Sequence, residues 1–106
     1  MNPRMIQLLG FLKESPEDPF LNYALAQEHL SAGNTTEARR LLEWLLEQHP
    51  DYVATYYHLG KLMEKDGVKD QAMAVYEQGI AAAARLGDQH ARSELQSAKL
   101  ELEYGD

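Results

Sequence analysis

Apolar residues recur along this chain at spacings of three and four, the interval that lines one side of an α-helix rather than alternate positions of a strand. Leu25, Ala26 and His29 share one such face, and Leu59, Gly60 and Met63 share its counterpart further on. Ala38, Leu42, Leu45 and Leu46 line a third, and Ala91, Leu95, Ala98 and Leu102 form a stripe spaced by four, three and four. Residues that start and stop helices stand between these faces. Asn2 reads as the cap of an opening helix, and Pro19 suits a first helical position, where its missing N–H costs nothing. Gly33, Gly67 and Gly87 each follow a periodic segment and suit left-handed terminal caps. One of Asn34, Thr35 and Thr36 reads as a cap, as do Asp51 and Asp88. The pattern predicts six helices: about 3–14, 19–32, 35–48, just after Asp51 to 66, 70–84 and 88–104.

The faces repeat. Sliding the chain against itself by 34 residues sets Tyr23 on Tyr57, Leu25 on Leu59, Gly33 on Gly67, Ala38 on Ala72 and Glu43 on Glu77. Ala26 meets Gly60, and Leu46 meets Ile80. Going backwards, Pro16 meets Pro50, Leu8 meets Leu42 and Leu12 meets Leu46. Each unit therefore reads as helix, turn, helix, and half a unit precedes the first full one. The small residues let neighbouring helices approach closely while Leu, Tyr and Ile fill the remaining space. One helix pair cannot bury its own apolar face, so pairs must stack.

With Leu59-Gly60, small residues at Ala38 and Ala72, large ones at Leu42 and Tyr76, and Pro50 at a repeat end, the chain resembles the tetratricopeptide repeat. The resemblance implies an all-α helix-turn-helix solenoid forming a single domain over 1–106. It has a half-repeat helix at 3–14, repeat 1 at 19–52, repeat 2 at 53–86 and a capping helix at 88–104. Some positions depart from the pattern. Asn22 stands where the family prefers a large aromatic, His29 and Met63 occupy a usual tyrosine slot, Arg39 lies in an apolar slot, and Ala84 replaces the terminal proline. The last helix fits the repeat only after a one-residue slip and looks like a solubilising cap, and the whole arrangement resembles small stand-alone bacterial proteins of the family.

What the resemblance implies for function is protein binding rather than catalysis. First helices in this family line a concave groove that holds an extended peptide or a helix of a partner. The matching positions here are Phe20, Tyr23 and Gln27, then Tyr57, His58 and Lys61, then Arg92 and Lys99 of the capping helix. The aromatic residues offer rigid contact area. Lys61, Arg92 and Lys99 suggest a locally positive end suited to an acidic or C-terminal peptide with an apolar anchor. The lysine–asparagine carboxylate clamp of some members is not matched, because those slots hold Tyr23, Gln27 and His58. Trp44, with Leu41 one turn earlier, occupies a slot that is usually polar and outward-facing; this pair is a candidate second contact surface, and the alternative function is a structural or self-association module forming a homo-oligomer, such as a homodimer, through this face or the terminal edge.

Composition narrows the classes further. The net charge is −7 and the longest basic run is Arg39-Arg40, which argues against nucleic acid or an anionic membrane as partner. No apolar stretch reaches spanning or signal-core length, and there is no cysteine, so the expected setting is cytoplasmic. His29, His49, His58 and His90 include no pair at the helical spacing of a zinc-protease motif, so no metal is expected. The serines lack a triad-like context and no Gly-rich phosphate loop is present, so no enzyme and no cofactor are expected. The acidic residues read as solvated faces and intrahelical pairs.

Overall fold

Side-chain caps fix the start of three helices. The Asn2 carboxamide accepts from the Met5 amide at 2.8 Å, the Asp18 carboxylate from Leu21 at 3.0 Å and the Asp88 carboxylate from Ala91 at 3.0 Å. Each satisfies one of the amides a helix leaves without an internal partner. In the computed structural model, which describes residues 2–105, these caps open α1 (Pro3–Glu14), α2 (Pro19–Ser31) and α6 (Gln89–Tyr104). Among them stand α3 (Thr35–Gln48), α4 (Ala54–Lys65) and α5 (Lys69–Leu86). Gly33, Gly67 and Gly87 take φ of 81°, 77° and 73°. The left-handed turn lets the amide after each glycine reach back to a carbonyl of the preceding helix: Asn34 to His29 at 2.8 Å, Val68 to Met63 at 3.1 Å and Asp88 to Ala83 at 2.9 Å.

The helices fall into two compact units, one up to His49 and one from Pro50. In the first, α2 packs against both α1 and α3. Met5 and Leu8 of α1, Ala24, Leu25 and Ala26 of α2, and Ala38, Leu41, Leu42 and Leu45 of α3 are its buried apolar residues. In the second, α5 packs against α4 and α6, and α4 touches α6. Tyr56, Leu59, Leu62 and Met63, then Ala72, Val75, Tyr76, Ala82 and Ala83, then Leu95 and Ala98 are buried there. Full burial of each large side chain contributes roughly 1.5–3 kcal/mol.

Close helix approach in the second unit depends on two glycines. A Cβ on Gly60 would clash with the Cδ1–Cε1–Cζ edge of the Tyr76 ring, and one on Gly79 would sit 2.6 Å from Tyr56 Cβ and 2.9 Å from Leu95 Cδ1. Gly60 thus admits α5 to α4, and Gly79 lies where α5 meets both neighbours.

The aromatic slot filled by Asn22 has a physical explanation. The Asn22 amide donates to the Pro16 carbonyl at 3.0 Å and to the Asp18 carbonyl at 2.8 Å. One period later the Tyr56 hydroxyl donates to the Pro50 carbonyl at 2.6 Å. Different side chains thus tie the proline turn to the same helical position.

Two expected helix boundaries and one expected capping bond need correction. Asp51 does not cap α4, which begins three residues later at Ala54 with no side-chain cap. Its carboxylate instead accepts from Arg85 Nη2 at 2.5 Å, while residues 50–53 form a turn. Asn34 occupies the cap position of α3, but its side chain bonds no amide there and lies 3.3 Å from His29 Nδ1. α5 starts at Lys69 and continues past Ala84 to Leu86, since no proline stops it before Gly87.

Candidate functional site

In the first unit, Phe20, Tyr23 and Gln27 recur on α2 at spacings of three and four, so they share one side. Phe20 is 58% exposed, and Tyr23 and Gln27 are half-buried. In the second unit, α4 carries Tyr57, at the repeat position of Tyr23, with His58 and Lys61, all half-buried. These three are in contact. The Tyr57 and His58 rings meet edge to face with centroids 5.4 Å apart, and Lys61 Nζ lies 5.6 Å from the Tyr57 ring centre. Lys61 also pairs with Glu64 at 3.7 Å. Glu64 in turn accepts a hydrogen bond from the hydroxyl of Tyr76, whose ring is fully buried.

The electrostatics follow from this packing. Burial pushes the Tyr76 phenol far above its ordinary range, reinforced by its bond to Glu64 and by the nearby Glu64, Tyr57 and Glu101 charges. Burial lowers the His58 imidazole from its ordinary value, against a smaller opposing pull from the Glu94 carboxylate. Glu94 and Glu101 are therefore the α6 carboxylates close enough to act on groups of α4 and α5. Sequence reasoning missed both, although their spacing of seven puts them on one flank of α6.

The expected positive end divides Arg92 and Lys99 from Lys61 by helix, and the spacing along α6 sets where they stand relative to Glu94 and Glu101. The stripe Ala91, Leu95, Ala98 and Leu102 faces inward, with Leu95 and Ala98 buried. Helical spacing then sets Arg92 and Lys99 on the flank opposite Glu94 and Glu101. Arg92 is exposed, and Lys99 lines a cleft of about 350 Å³ with Ile80, Gln96, Leu100 and Glu103. The Lys61 charge is paired with Glu64 on its own helix.

Leu41 and Trp44 belong to a different surface, in the first unit. Leu41 is buried, and Trp44 is half-buried rather than fully outward-facing. With Leu12, Leu25, Arg40 and Gln48 they line a cleft of about 640 Å³. The indole is steadied by His49, 5.4 Å away between ring centres, whose Nε2 lies 3.1 Å from the Glu17 carbonyl. Arg40 bonds Glu37 at 3.0 Å and holds that carboxyl below its ordinary range. Among the described residues, no group of three or more His, Cys, Asp or Glu side chains converges as a metal site would. No described helix is long and apolar enough to cross a membrane.

Comparison with known proteins bears on both units. Two family models, each described as a tetratricopeptide repeat, match residues 19–62 and 54–93. The chain is 33% identical over 84 residues to a TPR repeat-containing protein of Pseudomonas aeruginosa, covering 79% of this chain and 80% of that protein. The solution structure of a tetratricopeptide repeat domain protein from Salinibacter ruber is 54% identical and superposes with a TM-score of 0.82, over 86% of this chain and 92% of that one. The solution structure of a Bordetella parapertussis protein, 26% identical, superposes with a TM-score of 0.81, over 97% of this chain and 90% of that one.

Proposed function

Because the chain belongs to the tetratricopeptide repeat family, whose repeats are generally protein-interaction modules, we propose that it is an adaptor that binds a short peptide or helix of a partner protein through the groove-side faces of its first helices. The fold is a non-catalytic repeat scaffold, and the adaptor reading needs no cofactor. A cytoplasmic setting suits a chain without cysteine.

The observation that carries this reading is the Tyr57–His58–Lys61 cluster on α4. It presents an aromatic surface held in place by its own neighbours, so little side-chain entropy is lost when a partner covers it. Phe20 and Tyr23 give α2 of the first unit a similar character. With Arg92 and Lys99 on the far flank of α6, the recognised feature is an apolar or aromatic anchor rather than an acidic end. Alanine at Tyr57 and Lys61 together tests this. Removing a hot-spot aromatic costs about 2 kcal/mol or more, roughly 30-fold in affinity. A protein recovered with the wild-type chain from the source cell should be lost with the double variant, at an unchanged melting temperature. Equal recovery on both chains would refute the assignment of the face.

A second reading is self-association as a homodimer through the Trp44 surface. The cleft that supports it is lined on α1 by Leu12, and the same helix exposes Ile6 (59%) and Leu9 (36%). A dilution series followed by light scattering and by fluorescence of Trp44 discriminates: constant mass and constant emission refute this reading.

A further inference from the structure

Tyr76 is a core residue whose hydroxyl leaves the core. Its ring lies over Gly60, the position on α4 where no side chain stands in the way. Passing that gap, the hydroxyl donates to Glu64, one turn further along the same side of α4. Glu64 also meets Lys61 at 3.7 Å, and Lys61 Nζ stands 5.6 Å from the Tyr57 ring centre. The contacts therefore form one chain from the α5 core to the proposed binding face: Tyr76, Glu64, Lys61, Tyr57.

An ion pair three residues apart on a solvated helix is normally loose, because two flexible side chains must be held for a weak attraction screened by water and salt. Here the carboxylate is anchored independently. A phenol donating to a carboxylate makes a charge-assisted bond, stronger than a neutral one. The buried phenol stays protonated and remains a donor across the neutral range. Glu64 is thus held where it can restrain Lys61.

We propose that Tyr76 and Glu64 are positioning residues that hold Lys61 against Tyr57 and cancel its charge, so that the α4 face offers a neutral aromatic platform and does not select acidic partner segments. The proposal rests on the reading of this face as a binding surface. Its neighbours reinforce it: Glu94 and Glu101 of α6 add negative charge nearby, while Lys65, one turn beyond Lys61, is exposed to solvent.

Panning a random peptide library on the intact chain and its variants tests the assignment. The wild type should enrich peptides with an aromatic or apolar residue and no acidic excess. Glu64→Gln frees the Lys61 charge, so its enriched pool should turn acidic. A fixed acidic peptide from that pool should bind the variant about three- to fivefold more tightly than the wild type, with the gain disappearing in high salt. Tyr76→Phe, which keeps the ring, should shift the preference part of the way. Adding Lys61→Met to Glu64→Gln should abolish the shift. A purely structural role for Tyr76 and Glu64 would alter melting temperatures and leave charge preference unchanged. An acidic pool on the wild type, or identical pools on wild type and Glu64→Gln, overturns the charge assignment while leaving the binding face standing. A library that enriches nothing on any of these chains overturns the binding face, and this proposal with it.

Discussion

Adding one methyl group at Gly60 should damage the second unit, although alanine is the better helix former. The new Cβ would press against the Tyr76 ring, meeting three of its carbons well inside van der Waals contact. That ring is fully buried and its hydroxyl is tied to Glu64, so it cannot swing aside without breaking the bond. Overpacking of this kind costs about 1–3 kcal/mol, and a constrained aromatic belongs near the upper end. Replacing glycine by alanine inside a helix returns about 0.8–1 kcal/mol. The net loss expected for Gly60→Ala is therefore about 1–2 kcal/mol, a fall in melting temperature of roughly 4–16 °C at 4–8 °C per kcal/mol. Gly10 provides the internal control, since a Cβ there has no neighbour within 4 Å and the backbone φ is ordinary for a helix. Gly10→Ala should gain the helix term alone, about 0.5–1 kcal/mol. Thermal melts followed by circular dichroism compare both variants with the wild type. A Gly60→Ala chain as stable as the wild type would refute the claim that this glycine is required for the approach of α5 to α4.

The turn before each full repeat gives a second test: Asn22→Ala strands the Pro16 carbonyl and should cost about 1–3 kcal/mol, while Tyr56→Phe loses one bond to Pro50 and should cost about 1 kcal/mol, both read from urea unfolding. Asp88→Ala should cost about 1 kcal/mol and speed amide exchange in the first turn of α6, because the Ala91 amide loses its acceptor. Stability should also depend on pH at both ends of the range. Burial lowers His58 below its ordinary 6.5, so its contribution is present above that value and is lost as pH falls; His58→Gln should flatten the acid limb of a melting-temperature profile. Tyr56 and Tyr76 are raised above their ordinary 10.0, so their contribution is complete below pH 10 and lost as pH rises, and Tyr76→Phe should weaken the alkaline decline.

The repeat can be read in the sequence because close packing forces small residues to recur at a fixed period, as Ala26 and Gly60 or Ala38 and Ala72 do. Left-handed turns are equally readable, since Gly33, Gly67 and Gly87 stand where a side chain would be strained. Other features depend on partners far along the chain. Asp51 has the chemistry of a helix cap, but Arg85 takes its carboxylate, 34 residues away. Asn22 looks like a lapse in the pattern until its bonds to Pro16 and Asp18 are seen. The apolar stripe of α6 is legible, yet a stripe does not say which flank meets α4; that the Glu94 charge acts on His58 and the Glu101 charge on Tyr76 depends on how the helices pack. The role of Glu64 is hidden for a similar reason: its second partner, Tyr76, belongs to another helix and reaches it only because position 60 is empty.

The most direct test of the binding claim is a two-dimensional amide NMR titration of the isotope-labelled chain with a peptide enriched on it by display. Binding through the face described here predicts saturable shifts centred on Tyr57, His58 and Lys61, lost in the Tyr57→Ala, Lys61→Ala variant while the rest of the spectrum keeps its dispersion. Shifts confined to Leu41, Trp44 and their neighbours, or an unchanged titration in that variant, would contradict it.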